Sequence, residues 1–157
     1  MQMSSKDKGV NADVVREITR DCMLTRTRRI SRLVTNIYDQ ALRRHGINAP
    51  QFSLLVLIAK LGAASRAEIG RANYQERSTL TRNLALFLVE GWIEEQVTEG
   101  GGRRRPIVIS QTGRELLGTA APTWSEAQVK AKQLLGKENF DAIVGIADSI
   151  AHVEFSE

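Results

Sequence analysis

Only one cysteine, Cys22, occurs among the 157 residues, which excludes an intrachain disulfide and a cysteine-built zinc cluster. Long apolar runs are also missing: the best, FSLLVLIA at 52–59, falls far short of the roughly 18 residues of a membrane span. The two histidines, His45 and His152, have no motif partners, and no carboxylate pair stands out as acid and base. The glycine run at 100–102 lacks the Gly-Lys-Ser/Thr ending that a phosphate loop requires. Catalysis is therefore not expected, and no metal or cofactor is implied. The opening MQMSSKDKGVNA is polar and has no apolar signal segment, so residues 1–12 are expected to be a tail on a cytoplasmic protein.

What is abundant is arginine. Residues 1–118 carry 19 Lys and Arg against 12 Asp and Glu, and 16 of those cations are arginine. Residues 119–157 reverse the balance, with 3 against 6. Arginine's planar fork suits phosphate and guanine, because it donates two parallel hydrogen bonds. A basic excess of this kind fits nucleic acid or an anionic membrane surface.

Hydrophobic spacing predicts a mainly helical chain with one β-hairpin. Ile30, Leu33, Val34, Ile37, Tyr38, Ala41 and Leu42 follow helical spacing within a long helix over 13–44, which Gly46 stops. Pro50 opens a second helix, apolar nearly all round. Ser65 and Glu68 make the capping box of a short third helix. After the break at NYQE comes a fourth helix, RSTLTRNLALFLVEGW, with Leu80, Leu84, Phe87 and Leu88 as its apolar stripe. Trp92–Thr98 reads as a strand with Ile93 and Val97 on one face, and 106–110 as its return. Thr112 and Glu115 suggest a second capping box, opening a helix through Leu134 that Pro122 should kink. A last helix covers about 138–153. Two helices, a tight turn and a hairpin within 50–112 make a winged helix-turn-helix plan. The long first helix (13–49) and the helices of 113–157 are surplus to it, and their apolar stripes call for a second copy of the chain.

Two features could read DNA. On the fourth helix Ser78, Thr81, Arg82 and Ala85 share the face opposite the core stripe, with Arg77 and Thr79 beside them. Short hydroxyl side chains let a helix approach base edges, and Arg82 can reach guanine. The plainer reading is an ordinary solvated face. On the hairpin, EGGGRRRPI gathers Arg103, Arg104 and Arg105 at the tip while Glu94, Glu95 and Glu99 stay on the outgoing limb. A narrow minor groove draws arginine in.

The stretches RSTLTRNL, LVEGWIEE and ISQTGRELL resemble the MarR (multiple antibiotic resistance regulator) family of dimeric winged-helix transcription factors. RISRLVTNIYDQAL, HGINAPQFSLL and APTWSEAQ extend the resemblance from about residue 20 to 153. It implies a homodimeric regulator, more often a repressor, on pseudo-palindromic duplex DNA. A small aromatic or anionic ligand would release it. Ser78, Thr79, Thr81 and Arg82 fall on the family's DNA-reading positions and Arg103 on its wing arginine. One position departs: Gly101 stands where the family commonly has an aspartate that positions that arginine, so a looser wing is expected.

Two rival readings accompany this one. The winged module of a helical dimer could bind protein instead of DNA, or Cys22 could make the chain a redox-sensing regulator. The cysteine of the family's peroxide-sensing branch aligns with Leu24, however, and Arg28 replaces one of its two tyrosine partners. The plainer role for Cys22 is a small side chain on the helix stripe with Ile18.

Overall fold

A single extended residue interrupts the helix expected over 13–44. In the computed structural model, which describes residues 11–97 and 105–150, α1 runs Ala12–Asp21 and α2 runs Met23–Leu42. Between them Cys22 has φ −67° and ψ 108°. The threonines here bond back to their own helices, Thr19 Oγ1 to the Val15 carbonyl and Thr27 Oγ1 to that of Met23, which weakens the helical ladder. The Arg26 guanidinium donates to the carbonyls of Thr19 and Cys22, at 3.3 and 3.4 Å. The backbone still supplies the Cys22 amide to the Ile18 carbonyl and the Arg26 amide to that of Cys22, so the guanidinium supplements the ladder at the break. Cys22 is half-buried and Ile18 is exposed, so the two do not form a buried stripe within the chain.

The chain divides into two compact units, residues 1–34 and 35–157, with the division inside α2. The first comprises α1, capped by Asn11 through the Asp13 amide, and the opening turns of α2. Val14, Val15, Ile18, Met23, Leu24 and Leu33 are exposed there.

The second unit holds the core. Leu42, fully buried, ends α2, and a short 3-10 turn at Arg43–His45 leads to Gly46, whose φ of 72° favours glycine. Asn48 and Gln51 make a capping box at α3 (Ala49–Leu61), with Pro50 in its first turn. The fully buried Leu54, Leu55 and Ile58 make α3 the centre of the unit. Ser65 and Glu68 open α4 (Arg66–Asn73) with the capping box the sequence predicts. After α5 (Arg77–Val89), strands β1 (Ile93–Glu95) and β2 (Ile107–Ile109) pair antiparallel, Ile93 opposite Ile109 and Glu95 opposite Ile107. Ile107 also exchanges two backbone hydrogen bonds with Ala64, just before α4. With neighbours along both edges, β2 is buried at every residue.

Two expectations for the hairpin and the helix after it require correction. Val97 does not share a buried face with Ile93: it is 85% exposed, beyond the end of β1. Nor do Thr112 and Glu115 open the next helix. The N-cap of α6 (Gln111–Leu135) is Ser110, whose Oγ accepts from the Gly113 amide and donates to the Gly91 carbonyl. Only once the hairpin has folded does Gly91 lie beside Ser110, so tertiary contact selects this cap. The helix runs unbroken through Pro122. Gly136 then separates it from α7 (Lys137–Ile150), while the last residues of the helix expected over 138–153 lie outside the described range. Among the described residues, no helix is long and apolar enough to cross a membrane.

Candidate nucleic-acid interface

The geometry of α5 follows from its inner face. Leu80, Leu84 and Phe87 recur at helical spacing and are 0–4% exposed. The Phe87 ring packs on Trp92, with centroids 5.3 Å apart. Gly70 brings α4 close: a Cβ there would lie 3.2 Å from Leu80 Cδ2. This packing fixes which side chains point outward. Arg77, Ser78, Thr81, Arg82 and Ala85 are exposed on one face, and Thr79 is half-buried at its edge. Thr81 Oγ1 donates to the Arg77 carbonyl at 2.8 Å, so its hydroxyl proton is engaged and its oxygen remains an acceptor.

Tyr74 ends α4 at φ 47°, and Glu76 is the N-cap of α5 without a side-chain cap hydrogen bond. First-turn amides left without a side-chain cap can accept an anion.

In the hairpin, the residues Arg103 and Arg104 lie outside the described range, as does the glycine run that predicts a looser wing. Arg105 is exposed on the return limb. The carboxylate opposite it is Glu95: Oε1 lies 2.5 Å from Arg66 Nη2 on α4, and Oε2 lies 3.8 Å from Arg105 Nη1. By sequence, Glu95 belongs with Glu94 and Glu99 to one acidic limb. Strand alternation contains the missing signal, because it sets Glu95 on the face of buried Ile93 and leaves Glu94 outward.

A second polar cluster also escaped the sequence. Thr123 of α6 is 2% exposed, and its Oγ1 accepts from Arg44 Nε at 3.1 Å and from Arg44 Nη2. Both lone pairs are then used, which leaves the hydroxyl's own proton for His45 Nε2, 2.9 Å away. Nearby, Tyr38 donates its hydroxyl to Gln128 Oε1, and burial pushes that phenol's pKa up. Replacing Thr123 with valine keeps the shape and deletes the acceptor, so a loss of about 1–2 kcal/mol in urea unfolding is expected. Thr123→Ser should restore most of it. An unchanged midpoint for the valine variant would show that the cluster contributes nothing.

Between α3 and α6 lies an apolar groove of about 420 Å³, lined by Phe52, Ser53, Val56, Leu117, Ala121 and Trp124. At Cys22, a hydrogen bond from Thr25 Oγ1 to Sγ (3.3 Å) lowers the thiol pKa, with a smaller contribution from the charge of Arg26. Among the described residues, no three His, Cys, Asp or Glu side chains group as a metal site.

Two helices joined by a tight turn, with an outward polar face on the second and a hairpin following, define a winged helix-turn-helix protein. The MarR family model matches residues 45–104. The chain is 30% identical to the Mycobacterium tuberculosis transcriptional regulator MosR, solved in complex with DNA (TM-score 0.64, 85% of this chain and all of that one). This chain therefore belongs to the MarR family. At 18% identity, the transcriptional repressor CouR, bound to a 23-mer DNA duplex, shares the fold (TM-score 0.75, covering 86% and 96%). So does a mutant MarR from Escherichia coli complexed with operator DNA, at 13% identity (TM-score 0.73, covering 90% and 99%). No curated protein sequence matches the chain.

Proposed function

We infer that this MarR-family chain is a transcriptional regulator that binds pseudo-palindromic duplex DNA as a homodimer, in the cytoplasm, and is not an enzyme. The observation that carries this reading is the outward face of α5, where Arg77, Ser78, Thr81 and Arg82 stand together on a helix anchored by its other side. Residues 50–112 form the DNA-binding region; the helices of 13–49 and 113–157 supply the dimer contacts. In each subunit α5 enters a major groove, and the two half-sites lie about one helical turn apart. Arg82 reads guanine. Ser78, Thr79 and Thr81 add shorter contacts, with Arg77 at the phosphates. Arg103, Arg104 and Arg105 reach the flanking minor groove from the wing. The regulator acts as a repressor, as CouR does. The groove between α3 and α6, apolar and lined by Phe52 and Trp124, suits a small aromatic effector that releases DNA.

Selecting bound duplexes from a random pool tests the core of this reading, and it fails if no duplex binds even at low salt. The division of labour has its own test. With the selected operator, Arg82→Ala should cost about 1–3 kcal/mol of discrimination at one base pair per half-site. Replacing Arg103, Arg104 and Arg105 together should weaken all duplexes alike. Equal loss of sequence preference from both changes would overturn the assignment.

A further inference from the structure

We propose that Glu95 is a positioning residue for DNA binding, holding Arg66 of α4 and Arg105 of the wing as one preorganised basic edge. The inference rests on the DNA-binding reading above. By net charge alone, an acid placed between two arginines should oppose DNA, and the location of Glu95 argues otherwise. Its side chain is 26% exposed, against 46% for Arg66 and 68% for Arg105, so the carboxylate is the fixed member of the trio. Its backbone belongs to β1 and pairs with Ile107, which is bonded in turn to Ala64. The next residue, Gln96, donates its amide to the Pro106 carbonyl at 2.9 Å. Four chain segments therefore meet around Glu95: both limbs of the hairpin, the turn before α4, and the first turn of α4.

The two arginines come from elements that face different parts of a duplex. In a helix-turn-helix the first helix crosses the DNA backbone, and Arg66 opens that helix. Arg105 stands two residues before β2, where the wing returns. A free arginine loses rotamer entropy when immobilised. An anchored carboxylate that orders both guanidinium groups before DNA arrives removes part of that cost. Each guanidinium has five N–H donors, so donors remain for phosphate while others face Glu95.

The test uses the full-length chain and a duplex recovered by selection. Glu95→Gln keeps the shape and adds one positive charge relative to the wild type. Positioning predicts that E95Q binds about three- to tenfold more weakly at fixed moderate salt, the loss of preorganisation outweighing the added charge. In an Arg105→Gln, Arg66→Gln background the same change should no longer weaken binding, because nothing remains to position and only the removed negative charge acts. Equal losses in both backgrounds would indicate a purely structural role and overturn the proposal. Tighter or unchanged binding by E95Q would also overturn it while leaving the DNA reading intact. If E95Q melts too low to assay, Glu95→Asp, which keeps the charge and shortens the reach, is judged by the same two-background comparison. No binding by the wild-type chain would remove the DNA reading, and this inference with it.

Discussion

Raising the salt from about 50 to about 200 mM weakens binding to duplex DNA by about 10³-fold to 10⁵-fold, the loss expected for six to ten phosphate contacts. Arg77 and the wing arginines Arg103, Arg104 and Arg105, the latter meeting the phosphates that border the minor groove, give a number of that order when taken from both subunits. Each neutralised phosphate releases condensed counterions, and added salt makes that release less favourable. Fluorescence anisotropy of a labelled duplex, titrated at several salt concentrations, gives the slope of log affinity against log salt. A slope shallower than about −2 would mean that most of these arginines do not meet phosphates. The rival reading, a winged module that binds protein, predicts no duplex affinity to titrate.

Gly113→Ala should destabilise the fold by about 3 kcal/mol, at the upper end of the usual cost of overpacking. A Cβ at this position would lie 2.2 Å from the Trp92 carbonyl oxygen and 2.8 Å from Ile109 Cγ1. Neither neighbour is free to withdraw. The Trp92 carbonyl accepts the Ser110 amide at 3.0 Å, and the Trp92 amide is tied to Phe87. Ser110 in turn caps α6 through the Gly113 amide itself. The substitution therefore pushes apart the helix end, the strand and the cap that set the hairpin beside α5. Gly118→Ala, where a Cβ would meet nothing within 4 Å, is the matched control and should gain about 0.5–1 kcal/mol. Urea midpoints with unchanged m-values would measure both, and a cost below about 1 kcal/mol at Gly113 would contradict the packing argument.

The features legible in the sequence were those whose physics is local. The Ser65–Glu68 box needs only four consecutive residues, and the stripe of Leu80, Leu84 and Phe87 only the pitch of a helix. Side chains opposite that stripe had to face outward, so the candidate reading face could be named with no coordinates.

Other features depended on residues far apart in the chain. Thr112 and Glu115 satisfy the local rule for a cap as well as Ser110 does, and the fold chose Ser110 because Gly91 lies beside it in space. Thr123 looked like any helix threonine until Arg44 and His45 were brought to it from 79 and 78 residues away. Glu95 belonged to an acidic limb until β1 set it between Arg66 and Arg105. The amino-acid sequence by itself determined the helices of the winged module, the pairing of the hairpin stem and the outward face of α5, since helical pitch and strand alternation depend on neighbours a few residues apart. Which cap closes α6, and which carboxylate holds the wing's arginine, only the tertiary structure decided, because hydrogen bonds and ion pairs form between whichever groups the packed core brings within reach.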